Sequence, residues 1–111
     1  MNKKYYIYIL ECSNGNYYTG YTTDIERRYK EHQEGTSKCK YTRSFPPERI
    51  AACWRTQDIS LALKIEKAVK KLSKQEKMNL IFEKIGLQPI LKKLGFDASA
   101  VEAVLESSIS D

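Results

Sequence analysis

The chain has 111 residues and a formal net charge of +5, a size that suits one small domain and leaves no room for a second. The first 82 residues carry 16 Lys or Arg against 9 Asp or Glu, which favours a polyanion such as DNA as partner, although a merely solvated surface would carry similar charge. Three cysteines without C-x-x-C spacing argue against a zinc finger or a disulfide framework, and the lack of any run of about 18 apolar residues argues against a membrane span, so we expect a cytoplasmic protein.

Two tyrosine-rich strands are predicted near the start of the chain. Residues 5–10 and 16–20 are both rich in aromatic and β-branched side chains, which is typical of strands. The segment 13–16 between them contains Asn14-Gly15, a common hairpin signal. We therefore expect an antiparallel pair, with Gly20 forming a turn at the end of the second strand.

A helix over residues 24–34 is predicted directly after this pair. Thr23 and Glu26 have the spacing of a capping box, and a glycine follows the last helical residue as a stop signal. Arg28 and His32 lie four residues apart and therefore share one face of the helix. The spacing places a guanidinium and an imidazole close to the end of the second strand.

The segment 35–47 is predicted to be a loop, because glycine, serine, threonine and proline are frequent in it. Basic and aromatic side chains alternate along it: Lys38, Lys40, Tyr41, Arg43 and Phe45. This mixture suits phosphates and stacked bases together. A plain solvated loop fits the pattern about as well.

A third strand over residues 48–56 is followed by a helix that Ser60 is expected to cap. Ile50, Ala52 and Trp54 are predicted to share one face of the strand. The helix has an apolar stripe at helical spacing, formed by Leu61, Ile65, Ala68, Val69 and Leu72. Glu66 lies at the edge of that stripe. Its simplest interpretation is an exposed ion pair with Lys70, which would contribute ~0.3 to 0.5 kcal/mol to stability.

The end of the chain is predicted to be helical. Ser73 and Glu76 form a second capping-box pattern and begin a helix that reaches about residue 83. Beyond it, residues 87–94 and 98–105 are each expected to form a short helix, and the last residues to fray. We therefore divide the chain into a module over residues 1–82 and a helical extension over residues 83–111.

Two short motifs give the sequence a family resemblance. Tyr6-Ile7-Tyr8 and Tyr18-Thr19-Gly20 lie in the two predicted paired strands, and a helix with Arg28 follows them. In this order of elements the chain resembles the GIY-YIG nuclease family over residues 4–81. It departs from the family pattern at Tyr6, where the first motif has glycine, and at Thr19, where the second has isoleucine.

The resemblance implies an α+β fold, with a small three-stranded antiparallel sheet flanked by helices, and an endonuclease that hydrolyses DNA. It carries catalytic roles to five residues: Tyr8, Tyr18, Arg28, His32 and Glu66. Glu66 would hold one divalent cation, Mg²⁺ or Mn²⁺. For nucleic-acid binding we single out Gly20, Arg27, Lys38, Lys40, Tyr41 and Arg43. Branched or damaged DNA is the expected substrate of so small a protein, and a monomer is favoured.

The division of chemical roles leaves one alternative open. Tyr8 is favoured as the base that accepts a proton from water, with Tyr18 orienting that water or the phosphate, but a free phenol titrates near pH ~10. His32 titrates nearer neutrality and is the easier base on chemical grounds. Two other functions remain possible for the chain: a nucleic-acid-binding module that cleaves nothing, and a protein-interaction domain that uses the C-terminal helices.

Overall fold

An antiparallel sheet of four strands forms the centre of the computed structural model, which describes residues 3–36, 39–83 and 86–104. The strands lie in the order β2-β1-β3-β4, with β1 and β3 in the middle. Their bounds are Tyr5–Cys12 for β1, Tyr17–Thr22 for β2, Pro47–Thr56 for β3 and Glu102–Ala103 for β4. The α+β class is therefore confirmed, while the predicted count of three strands is one too low.

In the described part of the chain, five α-helices connect or follow these strands. Their bounds are Ile25–Glu34 for α1, Lys40–Ser44 for α2, Ile59–Lys70 for α3, Lys74–Phe82 for α4 and Gln88–Leu94 for α5. None of the helices within the described part of the chain is long and apolar enough to cross a membrane.

The β1–β2 hairpin was predicted from the sequence, and its turn lies where Asn14-Gly15 indicated. Gly15 adopts φ 81° and donates its backbone N–H to the Cys12 carbonyl, which tightens the turn. Gly20 is different, because it lies inside β2 opposite Tyr8 and not in a turn. The predicted turn at Gly20 is therefore wrong.

A register shift divides β3 between the two faces of the sheet. The shift occurs between Ile9 and Leu10 of β1, which pair with Ala52 and Ile50 respectively. One extra residue in β3 sends the side chains on either side of it to opposite faces. Ile50 consequently packs in a different cluster from Trp54, so the predicted shared face is confirmed for Ala52 and Trp54 and wrong for Ile50.

Each face of the sheet has its own core. On one face Ile7 and Ile9 pack against the apolar stripe of α3, whose residues Leu61, Ile65 and Val69 are fully buried. On the other face Tyr8 and Leu10 pack with residues of β3 and α1, among them Ile25. Side chains alternate along β1, so Tyr8 and Leu10 share the α1 face. Tyr18 of β2 is paired with Leu10 and therefore faces α1 as well.

Aspartates, not hydroxyl residues, begin the two longer helices. The Asp24 carboxylate accepts the backbone N–H of Arg27 at 3.1 Å, and Asp58 caps α3 in the same way. The predicted caps at Thr23 and Ser60 are therefore wrong by one and two positions. The capping box at Ser73 is confirmed, with both reciprocal hydrogen bonds present in α4.

The predicted loop after α1 contains the short helix α2. Gly35 ends α1 in the left-handed conformation, as predicted, and residues Lys40–Ser44 then form one helical turn. A five-residue helix is too short to have a clear periodic pattern, which explains why the sequence did not indicate it.

The C-terminal segment adds both a helix and a strand. Helix α5 ends at Gly95 as predicted and packs against α3. Residues Ala98–Ala100 form only a 3₁₀ turn, and β4 then pairs with Trp54 and Arg55. The helix predicted from residue 98 is therefore wrong where the structure describes it, because the edge of β3 offers backbone partners that the sequence pattern does not reveal. The division at residue 82 stays a prediction.

Candidate active site

The ring of Tyr8 lies over a glycine. Tyr8 and Gly20 are directly paired across β1 and β2, and a Cβ at Gly20 would overlap the Tyr8 hydroxyl and lie 2.5 Å from its Cζ. A side chain at position 20 would therefore displace the phenol. The glycine of the second motif is needed for this close approach and not for a positive φ.

His32 is hydrogen-bonded to the Tyr8 hydroxyl. Its Nε2 lies 2.8 Å from the phenolic oxygen, and its Nδ1 lies 2.7 Å from Oγ1 of Thr42 in α2. Thr42 donates its single hydroxyl proton to the Cys39 carbonyl at 3.2 Å. Nδ1 must therefore carry the ring proton and donate it in a hydrogen bond to Thr42. Nε2 is then unprotonated and accepts a hydrogen bond from the Tyr8 hydroxyl.

Burial keeps both members of the Tyr8–His32 pair uncharged. His32 has no exposed surface, and this burial, together with the nearby charge of Arg28, lowers its pKa to about 4. Burial likewise raises the pKa of Tyr8 above its usual value, although the guanidinium of Arg28 opposes the rise. At neutral pH the proton therefore stays on the phenol, and the imidazole remains neutral.

Arg28 stands beside the same phenol. Its Nη1 lies 3.0 Å from a carboxylate oxygen of Glu31, and about a fifth of its side chain is exposed. Burial acts to lower the pKa of Arg28, but hydrogen bonds with Glu31 and Tyr8 outweigh it and raise that pKa. The permanently charged guanidinium of Arg28 therefore lies next to the Tyr8 hydroxyl and remains partly accessible to solvent.

Tyr18 joins the buried pair to the surface. Its ring meets the His32 ring edge-on at a centroid distance of 5.1 Å and stacks on Tyr41 at 5.8 Å, with the two planes at 24°. Tyr41 is more exposed than Tyr18, and it contacts Phe45 at 5.4 Å. An aromatic row thus runs outward from His32 to solvent.

A groove lies between β2 and the connection from α3 to α4, and we refer to it as the β2 groove. It has a volume of about 460 Å³. Its lining includes Tyr18, Thr19, Tyr41, Lys70, Lys74 and Lys77. The hydroxyl of Thr19, one of these lining residues, is buried and has no hydrogen-bond partner within residues 3–36, 39–83 and 86–104. The groove is therefore basic on one side and aromatic on the other.

Glu66 of α3 is connected to the β2 groove through one of its lining residues, Lys70. It is one helical turn before Lys70, and its carboxylate pairs with the Lys70 ammonium at 3.3 Å. The apolar stripe of α3 packs on the sheet face opposite Tyr8. Tyr8, Tyr18, Arg28 and His32, four of the predicted catalytic residues, come together on the α1 face, whereas Glu66 lies on α3, which packs on the other face of the sheet.

Four of the predicted nucleic-acid-binding residues occupy two exposed regions, whereas Gly20 is buried against the Tyr8 ring. Arg27 is exposed, lies 3.9 Å from Asp24 and shares a surface depression with Arg28. Lys40, Tyr41 and Arg43 lie on α2, where all three are exposed. Lys38 lies outside the described residues.

The family of the chain follows from sequence comparison. The model of the GIY-YIG catalytic domain matches residues 4–79, which is more than half of the chain. The chain belongs to the GIY-YIG nuclease superfamily.

Several curated relatives are similar to this chain over most of their own length. A UPF0213 protein of Halalkalibacterium halodurans is 45% identical over 82 residues, covering 74% of this chain and 86% of the relative. A UPF0213 protein of Haloquadratum walsbyi is 42% identical, covering 75% of this chain and 92% of the relative. The solution NMR structure of a UPF0213 protein from Bacillus halodurans is 41% identical, with a TM-score of 0.49, and covers 85% of this chain and 99% of that chain.

Membership in the GIY-YIG superfamily implies a divalent cation, and the donor chemistry at Glu66 fits one weakly held ion. The carboxylate is about one-fifth exposed, so that an ion could reach its hard oxygens. Within residues 3–36, 39–83 and 86–104, no three His, Cys, Asp or Glu side chains form a possible metal cluster. Water and substrate oxygens would have to complete the coordination sphere of an ion at Glu66.

Two groups of site residues were not predicted. Thr42 orients His32, but it lies in a segment predicted to be a loop, and nothing in the sequence distinguishes it from its neighbours. Lys74 and Lys77 line the β2 groove from α4. Their only signal was the positive charge of the first 82 residues, which does not select particular lysines.

Proposed function

We propose that this chain is a divalent-metal-dependent endonuclease that hydrolyses phosphodiester bonds in DNA. The observation that carries the proposal is the contact of the Tyr8 hydroxyl with two groups at once, neutral His32 and charged Arg28. Cleavage of a phosphodiester requires a base for the attacking water and positive charge for the phosphoryl oxygens. Both requirements meet at this hydroxyl.

Arg28 is proposed to bind the scissile phosphate. Its planar guanidinium can donate two parallel hydrogen bonds to a phosphate, which an ammonium cannot do. Glu31 now occupies one of its donors at 3.0 Å. Arg28 would therefore have to share or leave its ion pair with Glu31 when phosphate binds. The same movement of the Arg28 side chain would open a path to the buried hydroxyl of Tyr8.

Tyr8 and His32 are proposed to act as a proton relay. The Tyr8 hydroxyl passes its proton to Nε2 of His32 while its oxygen accepts a proton from the attacking water. The resulting hydroxide attacks phosphorus as the bond from phosphorus to the departing oxygen breaks. That oxygen takes a proton from solvent, and His32 returns its extra proton to solvent through Tyr8. His32 acts through Tyr8, because its fully buried ring cannot touch the substrate. Tyr18 lies next to His32 and is proposed to orient the water or the phosphate.

Glu66 is the residue proposed to hold the cation, either Mg²⁺ or Mn²⁺. When bound, such an ion supplies Lewis-acid stabilisation of the negative charge that develops on the oxygens of the reacting phosphate. Glu66 must then exchange the Lys70 ammonium for the ion. A single carboxylate binds an ion weakly, so that the substrate itself should strengthen the site.

The deciding experiment incubates the pure protein with linear, flapped and branched DNAs, with and without Mg²⁺ or Mn²⁺. We expect nicking only with metal, and a preference for flapped or branched DNA would indicate a role in repair or recombination. Arg28→Lys should reduce the nicking rate by at least about a hundredfold, because lysine keeps the charge but loses the fork. Glu66→Gln should reduce it similarly by removing the ion-binding carboxylate.

Matched controls separate catalysis from general damage to the protein. Arg49→Lys makes the same change at a residue that pairs with Glu11 away from the α1 face, and Glu83→Gln changes an exposed glutamate at the end of α4. Both control variants should nick at the wild-type rate. Undiminished cleavage by folded Arg28→Lys would remove Arg28 from the proposed mechanism, and association without cleavage by the wild type would favour a binding module.

A further inference from the structure

The β2 groove contains more positive charge than the chain neutralises. Among the described residues, Lys74 and Lys77 make no ion pair with a carboxylate, and Lys70 alone is paired, with Glu66. Burial lowers the pKa of Lys77, and the charge of Lys70 lowers it further, so the two ammonium groups are close enough to repel each other. Lys74 extends toward the β1–β2 turn, where its Nζ would lie 4.0 Å from a Cβ on Gly15. The arrangement suits a ligand with several negative charges.

The opposite side of the groove offers aromatic surface. Tyr18 and Tyr41 are stacked with nearly parallel planes, and Tyr41 remains 36% exposed. Phe45 continues this surface and is 39% exposed. Stacking of a base on such rings needs an unpaired base, because the bases of a duplex are already stacked on one another.

One residue that lines the groove has a buried hydroxyl without a hydrogen-bond partner in the described part of the chain. Thr19 is 3% exposed, and its hydroxyl has no partner among the described residues. A buried hydroxyl without a partner is unfavourable unless a ligand or water bonds to it. Thr19 is one of the lining residues of the groove, so an occupant of the groove would lie close to this residue.

We propose that the β2 groove binds a single-stranded segment of DNA, with its phosphates on Lys70, Lys74 and Lys77 and a base stacked on Tyr41. This inference rests on the proposed nuclease function and extends it, because it names unpaired nucleotides beside the cleavage site as the feature recognised. The aromatic row joins the groove to His32, so that a strand held there lies next to the proposed active site. The groove thereby selects DNA with a single-stranded arm over an intact duplex.

The test measures binding without cleavage. The fluorescence anisotropy of a labelled oligo(dT) of about 12 nucleotides is followed in EDTA over a range of salt concentrations. Wild-type protein should bind this strand at least about tenfold more tightly than a blunt duplex of the same length. The double variant Lys74→Ala/Lys77→Ala should bind it about tenfold more weakly, and its slope of log affinity against log salt should be shallower by about 1.4, or about 0.7 for each lost phosphate contact.

The matched control is Lys67→Ala/Lys92→Ala, which removes the same charge from exposed positions outside the groove. It should bind the strand within about twofold of wild type. Equal losses in both double variants, or an unchanged salt slope in Lys74→Ala/Lys77→Ala, would overturn the proposal. If the alanine at position 77 prevents folding, Lys74→Ala/Lys77→Gln gives the same comparison.

The stacking contact has a separate readout. Tyr41→Ala should weaken strand binding by about tenfold without changing the salt slope, whereas Tyr41→Phe should retain the affinity because it keeps the ring. Equal affinity of Tyr41→Ala and wild type would remove the aromatic side from the proposal.

The proposal for the groove and the proposal of nuclease activity can be overturned independently of each other. Metal-dependent nicking by the wild type together with unchanged strand binding by the groove variants would overturn the groove and leave the nuclease standing. Strand binding through the groove without any nicking would overturn the nuclease and leave the groove standing.

Discussion

The Tyr8 hydroxyl and Nε2 of His32 lie 2.8 Å apart inside the core, where Tyr8 is 1% exposed and His32 not at all. An imidazole buried without charge has a definite thermodynamic signature. The unfolded chain takes up a proton on His32 near pH 6.5, whereas the folded chain resists until about pH 4. Between these values the unfolded state binds more protons, so acidification must favour unfolding.

The pH dependence of stability is therefore the first prediction. Lowering the pH from 7 to 4.5 should reduce the free energy of unfolding by about 2 kcal/mol through His32 alone. Carboxylates titrate over the same range, so the quantity to measure is the difference between wild type and His32→Gln in urea unfolding at both pH values. Parallel losses in the two proteins would mean that His32 is not buried in its neutral form.

The hydroxyl of Thr42 should fix the tautomer of His32. Thr42→Val keeps the shape but leaves Nδ1 without its acceptor, which should cost about 1 to 3 kcal/mol in urea unfolding. Thr42→Ser should retain most of the stability, because it keeps the hydroxyl. In the wild type, ¹⁵N spectra of the imidazole should show Nδ1 protonated and Nε2 bare. The reverse assignment would contradict the direction of the hydrogen bonds inferred here.

Gly20→Ala should displace the Tyr8 ring. A Cβ would lie 2.5 Å from Cζ of Tyr8, and overpacking of this kind costs about 1 to 3 kcal/mol. The same substitution in a Tyr8→Leu background should cost much less, because the ring that it meets is gone. Thermal unfolding of the four proteins in this double-mutant cycle measures the coupling. Additive effects would indicate that the two positions do not touch.

Asp24 should contribute more to helix α1 than its neighbour Thr23. Asp24→Ala removes the N-cap hydrogen bond to Arg27 and should lower the free energy of unfolding by about 1 kcal/mol. Thr23→Ala provides the matched control and should change it by less than about 0.5 kcal/mol. Both values come from urea denaturation. A larger effect at Thr23 would restore the capping box that the sequence suggested.

The parts of the fold that were predictable rest on local signals. The turn at Gly15, the helix ends at Gly35 and Gly95 and the capping box at Ser73 each depend on a few adjacent residues, and all are present. The site residues Arg28 and His32 were likewise placed on one helix face by spacing alone. Such features survive folding because tertiary contacts do not oppose them.

The parts that were missed depend on distant partners. The register shift that separates Ile50 from Trp54 is set by packing against β1, and β4 exists only because the edge of β3 accepts it. The role of Gly20 likewise depends on Tyr8 in the neighbouring strand. Thr42 acquires its role from a histidine ten residues earlier, through a helix too short for a periodic signal. These relationships are long-range, and no local pattern encodes them.

The central claim is that the Tyr8 hydroxyl takes the proton from the attacking water. It is tested most directly by single-turnover nicking rates of wild type, Tyr8→Phe and Tyr5→Phe at saturating Mg²⁺ or Mn²⁺. Tyr5 lies three residues before Tyr8 on β1 and stacks on Tyr21 away from the site. Tyr5→Phe is therefore a matched control, because it also removes one tyrosine hydroxyl from β1. The account predicts wild-type rates for Tyr5→Phe and a loss of at least about a hundredfold for Tyr8→Phe. Cleavage by folded Tyr8→Phe at the wild-type rate would contradict it.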